Sequence, residues 1–316
     1  MTNVAVPVGS TRSIRRNSLM RVAWRKLRRD PAGLIGLSIA VLFLLAGVFG
    51  PYIAPYDPNL QDLTNISATP TWAHPFGTDE LGRDMLSRIL AACRTGLLVA
   101  TCATGISVSI GVVLGSIGGY YGGVIDSVVS RMIEFQQAFP DLLLAVFVSA
   151  TVGPYIANLL TGGDGGARGA GLSIQYIVVI ASLGLVLWGG SARLIRGELL
   201  SLREREFVMA ARADGARPAW IIRRHLFPNA AGPLIVAVSL NFGGALLLEA
   251  SLSFLGIGIQ PPGASLGAMI NQNLAQWQYH PFLVLIPTGV LAVVLIGFSL
   301  LGDALNDALD PRRART

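Results

Sequence analysis

Lysine is almost missing from this 316-residue chain, since Lys26 is the only one among 24 basic residues. A phosphate-binding loop needs a glycine-rich turn followed by Lys and then Ser or Thr. The nearest segment, Gly162-Gly-Asp-Gly-Gly-Ala-Arg-Gly-Ala-Gly171, lacks that lysine and reads instead as a flexible connection. Cysteine is equally scarce. Cys93 and Cys102 are nine residues apart on one expected helix, so they cannot easily bridge and have no metal-type spacing. Both read as packing residues. Charged residues make up 13% of the chain, where a soluble domain carries about 25%. No basic face is interleaved with aromatics, so a sequence pI near 9.8 does not point to nucleic acid.

What is abundant is apolar sequence. The hydrophobic fraction is 52% and the mean hydropathy +0.58, values of an integral membrane protein. A bilayer-crossing helix needs about 20 apolar residues. Six spans are expected: Pro31 to Gly50, Leu97 to Gly118, Val128 to Thr151, Ile174 to Gly190, Ala231 to Phe254 and Leu283 to Leu301. The third is the least regular, because Arg131, Glu134 and Asp141 interrupt it and Pro140 should kink it. The first run follows some thirty polar and basic residues at full spanning length, so it is expected to stay as an anchor and not as a cleaved signal.

Short cytoplasmic loops retain Lys and Arg. Eight basic residues precede the first span, Arg131 adjoins the second connection, eight lie between Arg193 and Arg224, and three close the chain. An even number of spans puts those 20 on one side and leaves Arg83, Arg88, Arg94 and Arg168 on the other. Both termini are therefore expected in the cytoplasm.

The chain divides into a basic tail (1–30), an anchor helix with an outer segment (31–95), a membrane core (96–303) and a short cytoplasmic end (304–316). The last part of the basic tail, Met20 to Arg29, has the pattern of a helix lying on an anionic inner leaflet. In the outer segment, Thr78 is expected to cap a short interfacial helix, with Asp79 and Glu80 at its start and Leu81, Met85, Ile89 and Leu90 along one face. Capping and solvated charges account for His74, Asp79, Glu80 and Asp84 without metal or catalytic chemistry. Gly105, Gly111 and Gly115 favour close packing of the second span.

One polar segment interrupts the membrane pattern. Helix formers run from Glu198 to Ala213, Gly215 supplies a left-handed stop, Pro218 opens a second helix, and Pro228 is expected to end it. Ala210 and Ala211 put small side chains before this elbow, and Phe207, Val208 and Trp220 offer apolar anchors. The segment reads either as a surface docked in a partner's groove or as a solvated loop that obeys charge topology. Glu249, near the outer end of the fifth span, and Asp141 are candidate substrate-path groups or structural hydrogen-bond partners.

Aligned on Gly215, the residues Ala210-Ala211, Gly215 and Pro228 resemble the coupling loop of the permease subunits of binding-protein-dependent ABC importers. Met209, His225 and Phe227 depart from the family's acid, isoleucine and leucine. Arg205-Glu206-Phe207 and Arg224 to Asn229 are similar to the dipeptide and oligopeptide branch, specifically its second, C-type permease. So are Phe76 to Asp84, Glu249 to Pro262 and Leu301 to Pro311, and the resemblance spans about residues 20 to 312.

The resemblance implies an all-α membrane protein of the type I ABC importer permease fold, with six transmembrane helices and a cytoplasmic coupling helix. It also implies a heterodimer with a homologous permease, two ATP-binding subunits and an extracytoplasmic solute-binding protein. ATP and Mg would sit in those partners, with no cofactor, metal or catalytic residue in this chain. Glu206, Phe207, Ala210, Ala211, Gly215 and Pro228 would carry ATPase coupling within 198–229. Dipeptides or oligopeptides are the implied cargo, with nickel chelate, glutathione or haem as alternatives. The competing classes are an ion-coupled secondary transporter and a non-transporting membrane scaffold. The first usually shows internal repeats and buried ion-site acids, neither of which is clear here.

Overall fold

The computed structural model describes residues 24, 26–161 and 171–309. Most of the basic tail, the glycine-rich connection 162–170 and the final arginines lie outside the described residues. The described residues are helical apart from turns and one isolated bridge between Thr78 and Asp84.

Helix α1 (Pro31–Ile53) starts where Asp30 Oδ1 accepts the Ala32 N–H at 3.1 Å, with Pro31 at the first helical position. Its glycines let two neighbours approach. A Cβ on Gly36 would lie 2.6 Å from the Leu301 nitrogen in α11 (Phe282–Leu309), and one on Gly47 would lie 2.7 Å from Leu97 in α2 (Met85–Tyr121). Lys26 Nζ donates to Asp307 O at 3.4 Å, so the start of α1 and the end of α11 share one side.

Helix α2 corrects two expectations. No separate helix begins at Thr78, whose buried hydroxyl instead accepts from Ala68 N and donates to Asn65 O, bracing the loop. Asp79 Oδ1 takes the N–H groups of both Leu81 and Arg83 in a turn, which moves the helix start to Asp84. Asp84 Oδ2 accepts the Ser87 N–H at 2.8 Å, and α2 then runs 37 residues without interruption. Gly82, at φ +71°, lies directly on the Asp62 carbonyl. Hydrogen bonds from Thr64 and Asn65 hold the Asp62 carboxyl below the usual carboxylate range.

The expected third span is broken. Helix α3 (Gly123–Gln137) and helix α4 (Asp141–Thr161) meet at 91°, because Pro140 disfavours helical geometry in the residue before it. Helix α5 (Gly171–Val186) and helix α6 (Trp188–Leu202) follow, divided at Leu187. Gly111, Gly115 and Gly119 of α2 form the contact with α6, where a Cβ on Gly115 would lie 2.5 Å from Ala192 O. Gly105 has nothing within 4 Å, and Cys102 is exposed while Cys93 is buried. Gly105 and Cys102 therefore do not pack inside the chain.

After the elbow, helix α9 (Phe227–Phe254), the short helix α10 (Leu266–Asn273) and α11 complete the bundle. Phe43, Phe242 and Phe298 join α1, α9 and α11, with ring centroids 4.5 to 6.4 Å apart. Five helical stretches among the described residues are long and apolar enough to cross a membrane, and counting the bent pair α3 and α4 as one span makes six.

Candidate functional site

The elbow is built from three short pieces. The expected continuous helix from Glu198 to Ala213 breaks at Arg203 to Arg205, where Arg203 N bonds Leu199 O and Arg205 N bonds Leu202 O. Helix α7 (Glu206–Ala213) then has Glu206 in its first turn and Arg212 in its last, matching both ends of the helix dipole. Gly215 sits at φ +76°, with its N–H on Arg212 O and the Ala216 N–H on Ala211 O. That is a Schellman stop, which favours glycine.

Helix α8 (Pro218–Ile221) passes through a π turn (Ile222–Leu226) into α9. Pro228 therefore does not end the second helix as expected. It sits near the start of α9, after the π turn has already changed the hydrogen-bond pattern, and Asn229 Nδ2 satisfies the His225 carbonyl at 2.6 Å.

The elbow has two faces. Val208, Ala211, Ile221 and Leu226 point inward and pack with Tyr120, Ile195, Leu199, Ala230 and Leu234 at the ends of α2, α6 and α9. The Arg212 guanidinium lies 4.9 Å over the Tyr120 ring. The other face is open, with Phe207 40%, Met209 53% and Trp220 50% exposed beside Ala210. His225 bridges Trp220 and Phe207, its ring centre 5.0 Å from one and 6.0 Å from the other. A groove of about 500 Å³ runs alongside, lined by Arg217, Ala219, Trp220, Arg223 and Arg224.

The six expected coupling residues therefore separate. Glu206, Phe207, Ala210 and Gly215 lie on the open surface, while Ala211 faces the inner keel and Pro228 is half-buried in α9. Sequence reading missed Ile221 and Leu226 as keel residues and counted Val208 as a docking anchor. Val208 and Ala211 stand three residues apart on one helix face, and that spacing was the available signal for Ala211.

Glu249 is 2% exposed near the C-terminal end of α9, where Oε1 accepts the Ser253 hydroxyl at 2.9 Å. Ser253 Oγ in turn accepts the Ile259 N–H, and Gln260 Nε2 donates to Ser253 O, so this acid anchors the turn leading to α10. Asp141 is exposed in the first turn of α4. Their chain neighbours Leu142 and Ala250 line one cavity of about 330 Å³ between α4, α9, α10 and α11.

The expectation of solvated charges in the outer segment is overturned. Asp79, Arg83, Asp84 and Arg88 are all buried. Asp79 Oδ2 pairs with Arg83 Nε at 2.7 Å and lies 3.7 Å from Arg88 Nε. Both arginines donate to Gln272 Oε1 at 3.2 Å, and His74 Nδ1 lies 2.9 Å from Asp84 Oδ1. Packing against the end of α10 removes these groups from water, and no local pattern at 74–88 announces that distant partner.

Five apolar helices and a bent pair, with a two-faced polar elbow between them, define a multi-pass membrane protein. Residues 111–315 match the binding-protein-dependent transport system inner membrane component family, and residues 18–70 match the N-terminal TM domain of oligopeptide transport permease C; the chain belongs to this permease family. It is 36% identical over 306 residues to the dipeptide transport system permease protein DppC of Bacillus subtilis, covering 96% of this chain and 89% of that one. It is 32% identical to the oligopeptide transport system permease protein OppC of Bacillus subtilis, covering 93% and 90%. The glutathione transport system permease protein GsiD of Escherichia coli is 34% identical, covering 92% and 89%. A solved inward-facing structure of the MetNI methionine ABC transporter shares the fold with a TM-score of 0.55 at 19% identity, covering 72% of this chain and 98% of that one.

Proposed function

We propose that this chain is the C-type permease of an ATP-driven importer for dipeptides or oligopeptides, paired with a homologous permease. Two cytoplasmic ATPases drive it through the elbow, and an extracytoplasmic solute-binding protein delivers cargo. The observation that carries this reading is the elbow's division of labour. Its keel is packed onto α2, α6 and α9, so a push on the open face around Phe207, Ala210 and Trp220 is transmitted to three helices. Relatives named for dipeptide and oligopeptide transport support the cargo class. The contact between Lys26 and Asp307 supports both chain ends lying on one side, and the positive-inside rule makes that side cytoplasmic. ATP and Mg belong to the partners, and this chain contributes no catalytic residue. Asp141 and Glu249 remain proposals for the substrate path, with Glu249 reached only if the turn above it opens.

The test is uptake into proteoliposomes holding this permease, its partner permease, the ATPases and the solute-binding protein encoded beside it. ATP-dependent accumulation of a labelled dipeptide, lost when this chain is omitted, is the expected result. Accumulation of glutathione with no dipeptide uptake moves the cargo to the class named for GsiD. Uptake that follows an ion gradient without ATP overturns the reading.

A further inference from the structure

Helix α3 straps the cytoplasmic half of the bundle, a role the elbow's docking face does not require. Arg196 of α6 grips Asp126 in the first turn of α3 with a two-pronged ion pair, Nε to Oδ1 at 2.5 Å and Nη2 to Oδ2 at 2.8 Å. At the other end of α3, Gln136 Nε2 donates to Val186 O at 2.7 Å, just before the break that divides α5 from α6. Gly189 makes room for that amide, since a Cβ there would collide with Gln136 Oε1. Between the two tethers, Val129 and Ile133 pack with Ala192 and Trp188 of α6 and Leu114 of α2.

The strap joins two elements that sequence order keeps apart. Helix α6 leads directly into the elbow, and α3 leads through the 91° bend into α4. A bidentate pair fixes orientation as well as distance, so a rotation of α6 is passed on and not merely a translation. Both partners keep partial access to solvent, with side-chain exposures of 27% and 20%. We propose that Asp126 and Arg196 are a positioning pair that makes α4 follow α6 when the elbow is displaced. This rests on the reading of the elbow as the point where partner ATPases push.

The experiment uses the complete transporter in proteoliposomes, with D126N, R196Q and the exchanged pair D126R/R196D. Two readouts are taken: labelled dipeptide uptake per ATP hydrolysed, and the distance between spin labels at Glu204 and Phe147 with and without trapped nucleotide. In each single variant, uptake per ATP is expected to fall about tenfold while hydrolysis stays within about twofold, a size typical of broken coupling between packed elements. The exchanged pair restores at least half the ratio. The label distance stays constant in the parent, because α4 follows the elbow, and changes in the single variants. If a single variant fails to assemble, D126E keeps the charge on a longer arm and gives an intermediate ratio. Parent-like ratios, a parallel loss of uptake and hydrolysis, or an unchanged label distance in D126N each overturn the proposal. A parent complex that moves no dipeptide overturns the transport reading instead, and the label distances still decide the role of the pair.

Discussion

Asp79 holds Arg83 twice, with Oδ2 accepting from the guanidinium Nε at 2.7 Å and Oδ1 from the Arg83 backbone N–H at 2.9 Å. The same carboxylate faces Arg88, which is 1% exposed, so a single acid compensates two buried cations. Removing one partner of such a cluster leaves charge buried without compensation. Asp79→Ala is expected to cost roughly 3 to 5 kcal/mol of stability. Thermal unfolding of the purified permease in detergent checks this, and a melting curve matching the parent refutes it.

Gly215 has open space around it, with nothing within 4 Å of an added Cβ, but its φ of +76° excludes branched side chains. The constraint is conformational and not one of clearance inside the chain. Gly215→Val is expected to distort the Schellman stop and uncouple ATP hydrolysis from uptake, whereas Gly215→Asn keeps coupling because asparagine tolerates the left-handed region. Uptake and hydrolysis measured together in proteoliposomes separate the two variants. Equal behaviour of Val and Asn contradicts the backbone explanation.

Trp220 presents half its surface beside the Arg-lined groove. Truncating an aromatic anchor at the centre of an interface costs about 2 kcal/mol or more of binding. Trp220→Ala is thus expected to lower capture of the ATPase subunits at least tenfold while leaving the permease's own melting temperature unchanged. Affinity measured against the purified ATPase pair tests it, and retained capture removes Trp220 from the interface.

The α2 glycines differ in their surroundings. Gly115→Val should force α2 and α6 apart and cost roughly 1 to 3 kcal/mol, the range for an overpacked contact. Gly105→Ala meets nothing within 4 Å and should leave stability unchanged or slightly improved. Paired melting curves in one detergent are sufficient to compare them.

Five of the crossings were legible because each is a long apolar run that hydropathy marks, whereas the interrupted third was not expected to turn through 91°. The stop at Gly215 was legible because glycine at a helix end has a local cause. What local pattern could not supply were features set by distant partners. Asp84 displaces Thr78 as helix cap because Asp79 is engaged by Arg83 and by its own turn. Pro228 stays inside a helix because the π turn precedes it. Ala211 turned inward because the ends of α2 and α6 lie beneath it. The buried acid Asp79 looked solvated because the cover over its partners Arg83 and Arg88 arrives nearly two hundred residues later, at Gln272.

Helix α2 reaches from the buried charges around Arg88 to Tyr120 beneath the elbow. At 1.5 Å per residue these two positions are about 48 Å apart along one uninterrupted strut. A helix of that length without a break carries a tilt as one rigid rod, so a displacement beneath the elbow is expected to reach the turn around Asp79 at its other end. That turn and the elbow would then move on one clock, with no relay between them.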